Sequence, residues 1–187
     1  MKPSFYIPSL ILALIGLSAC TSASTGPRPT IGSDNAPVVI EEYSDLQCPA
    51  CGVVSPEVER IARDNPELVK LTFHHFPLTM HKDAFRAAQA SECAYAQDKF
   101  WEFVDLAYQN QSNLTDAKFL ELAETLALDK TVFQACLDSS DSQEPIRADL
   151  ALGRSVGVSY TPSFYVNGKL IQYSGRESFE GYLKTLK

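Results

Sequence analysis

The stretch Val38–Ser44 is β-rich and mostly apolar, opened by Ala36-Pro37 and closed by Asp45. A run of that kind reads as a buried strand of the parallel type. After Cys48 come Val53, Val54, Val58 and Ile61 at helical spacing, and the pattern stops near Asn65-Pro66. Residues 68–76 alternate in places (Val69, Leu71, Phe73) and end at Pro77, which predicts a second strand. Strand, helix and strand make a βαβ unit with the right-handed crossover such units adopt.

From residue 82 to 155 the period changes. Phe100, Phe103, Val104 and Ala107, then Phe119, Leu122, Ala123 and Leu126, recur at helical spacing. Turn signals at Gln111-Ser112-Asn113, Leu128-Asp129 and Ser139-Ser140-Asp141 cut this block into several helices, with Ser112 and Asp129 as N-cap candidates. Ser163–Val166 and residues 169–173 then flank Asn167-Gly168, a strong two-residue hairpin signal, and residues 177–187 suit a closing helix. The order βαβ, helices, ββα defines an α/β domain over residues 37–187 with a helical insertion over 80–156.

The N-terminus belongs to processing rather than to the fold. Lys2 is the only charge before Arg28, and residues 7–19 are apolar and small. That is a signal peptide, too short to stay as a membrane span. It ends in Leu17-Ser18-Ala19-Cys20, which resembles the bacterial lipobox and implies cleavage before Cys20 and lipid on that cysteine. The alternative is an ordinary secretory signal cut after Ala19. Residues 21–29 are rich in Ser, Thr, Gly and Pro, so residues 20–36 are expected to be a lipidated tether holding the domain to a bacterial membrane, facing the periplasm or cell exterior. The chain is acidic, with 23 Asp and Glu against 16 Lys and Arg. It has no basic run, which argues against a nucleic-acid partner.

Five cysteines less Cys20 leave Cys48, Cys51, Cys93 and Cys136. An even number in an exported chain implies disulfides. The short Cys48-Pro49-Ala50-Cys51 spacing favours pairing within that motif, and Cys93–Cys136 follows by default. That second pair reads as a structural bridge across the insertion; the alternative is a second redox pair passing electrons to or from the first. Cys48 opens a helix straight after a strand, so its sulfur faces free backbone N–H groups and the positive end of the helix dipole. It is therefore expected to be the exposed nucleophile, and Cys51, pointing further in, the resolving thiol. A zinc site would need two more ligands. No second close cysteine pair exists, and His74 and His75 lie on a strand pointing to opposite faces, so no metal is expected. An inert disulfide is the remaining alternative.

The run Glu42-Tyr43-Ser44-Asp45-Leu46-Gln47-Cys48-Pro49-Ala50-Cys51 resembles the active-site strand and turn of DsbA-like thioredoxin-fold proteins. His75-Phe76-Pro77-Leu78, Gly157-Val158-Ser159-Tyr160-Thr161-Pro162-Ser163-Phe164 and the Asn167-Gly168 hairpin resemble the segments that follow in that family, and Pro56 its helix-kinking proline. The resemblance spans residues 37–187. It implies a thioredoxin fold and thiol–disulfide exchange on exported proteins, with a membrane redox partner and no cofactor beyond the Cys48–Cys51 disulfide. It also implies a cis Thr161–Pro162 bond beside the disulfide, with the Thr161 backbone open to an extended substrate. Glu42 becomes a buried acid able to exchange a proton with Cys51. Ala50 stands where the strong oxidant of the family has histidine, so Cys48 is expected to be acidic but less extreme, with a pKa of roughly 4 to 7. A dithiol oxidase leads. A reductase or isomerase kept reduced by a membrane partner, and a non-catalytic binding lipoprotein, are the alternatives; the short tether disfavours a dimeric isomerase and favours a monomer.

Overall fold

The computed structural model describes residues 27–173 and Gly181. The signal segment 1–19, Cys20 and all of the expected closing helix 177–187 except Gly181 lie outside the described residues. Five strands form one mixed sheet in the order β1-β3-β2-β4-β5: β1 (Thr30–Ile31), β2 (Val38–Ser44), β3 (Val69–His75), β4 (Ser163–Val166) and β5 (Lys169–Ile171). β2 and β3 run parallel, from Val38 opposite Val69 to Ser44 opposite His75, and α1 (Pro49–Asp64) crosses between them. On its other side β2 pairs antiparallel with β4, which places Phe164 opposite Glu42. β2 is thus flanked by strands on both edges and covered on both faces, so that even its Glu42 and Ser44 are fully buried.

Between β3 and β4 run α2 (Ala84–Tyr95), α3 (Phe100–Gln109), α4 (Asp116–Thr125), α5 (Lys130–Asp138), a 3₁₀ turn at Asp141–Gln143, and α6 (Glu144–Ser155). These helices bury Phe103, Leu114, Phe119, Phe133 and Leu137 in one core that also takes in Leu46, Cys48, Cys51 and Phe73. The cysteine turn therefore sits on the seam between the helical insertion and the sheet. α1 packs Val58, Ile61 and Ala62 on Val38, Ile40, Val69 and Leu71, while the opposite face of the sheet packs Tyr43, Phe76 and Tyr165 against Val158 and Leu150. Pro56 lies inside α1, and the β4–β5 turn has φ of 48° at Asn167 and 75° at Gly168. Positive φ at both central positions is what Asn-Gly supplies cheaply.

Several local expectations shift. Residues 27–36, assigned to the tether, are part of the fold: Thr30 and Ile31 pair with Thr72 and Leu71. Arg28 meets Glu92 at 2.8 Å and Asp149 at 2.7 Å. Hydropathy hides this, because a two-residue edge strand and one arginine leave no period to read. The N-cap of α4 is Thr115, whose hydroxyl accepts from the Lys118 amide, and not Ser112; Asp129 caps α5 as expected. Val53 is 76% exposed, since the buried stripe of α1 runs through Cys51, Ser55, Val58 and Ala62. The second strand of the hairpin ends at Ile171, short of residue 173.

Cys93 of α2 and Cys136 of α5 are bonded to each other, 43 residues apart in sequence. In the chain-entropy model a loop of that length is worth about 4 kcal/mol. Cys93→Ser/Cys136→Ser is expected to lose about that much unfolding free energy in urea. Unchanged stability would contradict a structural role for the bridge.

Candidate active site at the amino end of helix 1

The turn between β2 and α1 is pinned from three sides. The Asp45 carboxylate, buried, accepts hydrogen bonds from Gln47 N at 2.7 Å, Leu78 N at 2.8 Å and His81 Nδ1 at 2.8 Å. Gln47 and Asp83 exchange two bonds: Gln47 Nε2 donates to Oδ2 at 3.0 Å, and Asp83 N donates to Gln47 Oε1 at 2.8 Å. From beyond α3, Gln111 Nε2 donates to the carbonyls of Leu46 at 3.0 Å and Cys48 at 2.7 Å. Gly52 makes room for that side chain, because a Cβ there would come within 2.7 Å of Gln111 Oε1.

This pinned turn presents Cys48 as the N-cap of α1, in extended conformation, with Pro49 in the first turn. Proline there costs no hydrogen bond and its φ already suits the helix. The Thr161–Pro162 peptide is cis and lies across the sulfur, and the Cys48 thiol donates to the Thr161 carbonyl at 3.5 Å. Cys48 is consequently not the exposed tip that helix position alone suggests: it is 7% exposed, and Cys51 is fully covered. The two thiols are unbonded.

Their electrostatics differ sharply. Cys48 is held down to about 5, first by the Cys51 thiol donating to it and then, against the cost of burial, by Thr161 and the backbone amides of Cys51 and Ala50. Burial pushes the Cys51 thiol far up, and its neighbour's thiolate adds to the rise. At neutral pH the pair is one thiolate and one thiol. Thr161 Oγ1 is buried and has no hydrogen-bond partner among the described residues, leaving it free to donate to the ionised sulfur.

Glu42 and Ser44 alternate onto the face of β2 that α1 covers, and both are fully buried. The Ser55 hydroxyl donates to Glu42 Oε1, while Oε2 has no partner among the described residues. Burial raises the Glu42 carboxyl to about 7, opposed by Ser55 and Ser44. Glu41, on the other face, lies 3.8 Å from His74 Nε2. The structure thus brings Cys48, Cys51, Thr161, Pro162 and Glu42 to one place. Cys93 and Cys136 are joined to each other, and Cys20 lies outside the described residues. Gln111, Ser44, Ser55 and Tyr108 were not legible from sequence; glycine directly after Cys51 was the one local signal for Gln111. Among the described residues no group of three or more His, Cys, Asp or Glu is placed to hold a metal, and no helix is long and apolar enough to cross a membrane.

A central parallel strand leading into a Cys-x-x-Cys helix, faced by a cis proline, defines a thioredoxin-fold dithiol protein. The thioredoxin family model matches residues 24–187. The probable disulfide bond formation protein D of Bacillus cereus is 36% identical over 156 residues, covering 76% of this chain and 71% of that protein. The solved thiol-disulfide exchange protein alpha-DsbA2 of Wolbachia pipientis superposes with a TM-score of 0.76 at 19% identity, over 86% of this chain and 87% of that one. The chain belongs to the thioredoxin family, which it shares with the Bacillus cereus disulfide bond formation protein. It is also 38% identical over 139 residues, 74% of its length, to Na(+)/H(+) antiporter NhaA 3 of Salinispora tropica, but spans only 21% of that relative.

Thr161→Val removes the hydroxyl and keeps the shape. A hydrogen bond to a charged group is worth about 1.5 kcal/mol, so the variant is expected to move the Cys48 thiolate transition up by roughly one pH unit. Thiolate absorbance of the reduced protein reads this directly. An unmoved transition would remove Thr161 Oγ1 from the site.

Proposed function

We propose that the chain is an extracytoplasmic thiol:disulfide oxidoreductase that works chiefly as a dithiol oxidase on exported proteins. The observation that carries this reading is the inequality of the two thiols: Cys48 held down to about 5 at the helix end, Cys51 pushed up beneath it. In the oxidised protein a substrate thiolate attacks Cys48 Sγ, the less covered of the two sulfurs. The Cys48–Cys51 bond breaks, Cys51 leaves with the electron pair, and a proton from the Glu42 carboxyl neutralises it. A second substrate thiolate then attacks the substrate sulfur of the mixed disulfide. Cys48 departs as thiolate, and because its pKa is low it leaves readily. The substrate gains a disulfide, the protein holds two electrons as a dithiol, and a membrane redox partner takes them up.

The groove for the substrate segment runs beside Cys48. It has a volume of 310 Å³ and is lined by Ala50, Val54, Tyr160, Thr161, Pro162 and Tyr173. In this reading an extended peptide pairs with the Thr161 backbone as an added strand, the pairing that the family resemblance implies. Tyr160 and Val53, 50% and 76% exposed, add apolar surface for a partly folded client. Cys20 carries the lipid in this reading, and the monomeric domain works close to the membrane that holds it. The relatedness to the Bacillus cereus disulfide bond formation protein supports thiol proteins as substrates. Ala50 favours the second reading, a reductase: it places no positive donor beside Cys48, which leaves the dithiol less favoured over the disulfide.

The oxidised protein is expected to form disulfides in a reduced, unfolded substrate faster than the reduced protein cleaves insulin disulfides. Cys51→Ser is expected to accumulate a mixed disulfide through Cys48, and Cys48→Ser to be inactive. Faster insulin cleavage would move the assignment to the reductase. Loss of both activities in the wild type would leave only a binding protein.

A further inference from the structure

The proton that Cys51 must lose or gain has no direct path to water, since Cys51 is fully covered and lies under Cys48. Three hydroxyls fill the space beneath it. Ser44 Oγ is 2.8 Å from Tyr108 Oη and 3.0 Å from Ser55 Oγ. The Tyr108 hydroxyl donates to Ser55 Oγ at 3.2 Å, and Ser55 donates to Glu42 Oε1. The Ser44 hydroxyl faces the Cys51 thiol and favours its ionised form. All four supporting side chains are buried: Glu42, Ser44 and Ser55 at 4% exposure or less, and Tyr108 at 7%. They come from three elements, with Glu42 and Ser44 two apart on β2, Cys51 and Ser55 four apart on α1, and Tyr108 from α3. Both spacings put the paired residues on one face.

A hydroxyl donates one hydrogen bond and accepts others. Ser55 spends its proton on Glu42 and Tyr108 spends its own on Ser55. Ser44 can then donate to either and accept from Cys51, so the donors point in file from sulfur to carboxylate. We propose that Ser44, Tyr108 and Ser55 form a built-in proton relay between Cys51 and Glu42, with Ser44–Ser55 as the short route and Ser44–Tyr108–Ser55 as the long one. The proposal rests on the reading of Glu42 as the proton partner of Cys51. In the reduced protein the Cys51 thiol donates to the Cys48 thiolate. Once Cys48 is tied into a mixed disulfide that acceptor is gone, and the thiol proton turns to Ser44. Cys51–SH and Glu42–COO⁻ become Cys51–S⁻ and Glu42–COOH, each hydroxyl having passed one proton on and received another. The thiolate then attacks Cys48 Sγ, the Cys48–Cys51 bond forms, and the substrate sulfur leaves with its electron pair. In the oxidising direction the same file runs backwards, delivering the carboxyl proton to the Cys51 leaving group.

Other charged groups act on Glu42 or its neighbours from the packed elements, His74 from the opposite face of the sheet beside Tyr43, and none lies in the file. α1 contributes Glu59, paired with Arg63 at 2.7 Å; β3 contributes His74, held by Asp149 at 2.9 Å; α3 contributes Asp105 and Glu102, which act on Glu59. β4 contributes the uncharged Phe164.

Stopped-flow reaction of the reduced protein with 5,5′-dithiobis(2-nitrobenzoate) separates the steps, because Cys48 releases the first chromophore and Cys51 the second. The second phase of the wild type is expected to rise with pH through an inflection near 7, where Glu42 ionises. Ser55→Ala and Ser44→Ala are each expected to slow its high-pH plateau by roughly a hundredfold, the size of a lost general acid–base step, with the first phase unchanged. Ser55→Thr, which restores a hydroxyl, is expected to recover the rate. A plateau that stays at the wild-type value in both alanine variants, while Glu42→Gln slows it, would overturn the relay and leave Glu42 in place. A wild-type second phase in Glu42→Gln would remove Glu42 itself, and the relay with it. Far-UV circular dichroism and an unchanged first phase establish that each variant is folded.

Discussion

Everything in the site depends on one sulfur held at the amino end of α1. A thiolate there is stabilised by the Cys51 thiol, by Thr161 and by amides the helix cannot use internally. That stabilisation belongs to the reduced protein alone, since a disulfide carries no charge for these groups to hold. The same contacts that make Cys48 reactive therefore weaken the Cys48–Cys51 bond relative to the dithiol. Acidity and oxidising strength are one property seen twice. The linkage has a definite sign. Cys48 is depressed from an ordinary 9.0 to about 5, so its ionisation stabilises the folded reduced protein fully above pH 9, and the gain is lost as pH falls through 5.

Such an arrangement works only if the turn cannot relax away from the helix end. Asp45 anchors it to the 77–81 loop, Gln47 to Asp83, and Gln111 reaches from the insertion to grip the Cys48 carbonyl. All three ties involve residues beyond the βαβ unit, which ends at His75. The insertion is thus more than a lid of added core. It orients the nucleophile, and the Cys93–Cys136 bridge fastens two of its helices. Arg28 extends the same logic to the N-terminal side, where its pairs with Glu92 and Asp149 join the segment before β1 to α2 and α6.

Much of this was legible in the residues. The βαβ unit, the helical block and the hairpin follow from period and turn chemistry, because buried central strands and amphipathic helices carry their environment in their spacing. Cys48 and Cys51 declare themselves by position. What stayed hidden are contacts between distant segments. Gln111 is 63 residues from the carbonyl it grips, and Tyr108 is 53 residues from Ser55. A serine on a buried face looks like any small core residue until its partner is known. The nearly covered state of Cys48 was hidden for the same reason, since the segment around Thr161 comes from far along the chain.

The central claim is that Cys48 is stabilised as a thiolate strongly enough to make its disulfide an oxidant. The equilibrium reduction potential of the Cys48–Cys51 pair against glutathione tests it most directly. A thiol held to about 5 lies between those of DsbA and thioredoxin. The potential is accordingly expected between about −120 and −200 mV, on the oxidising side of the glutaredoxins. A value near that of thioredoxin, about −270 mV, would contradict the account.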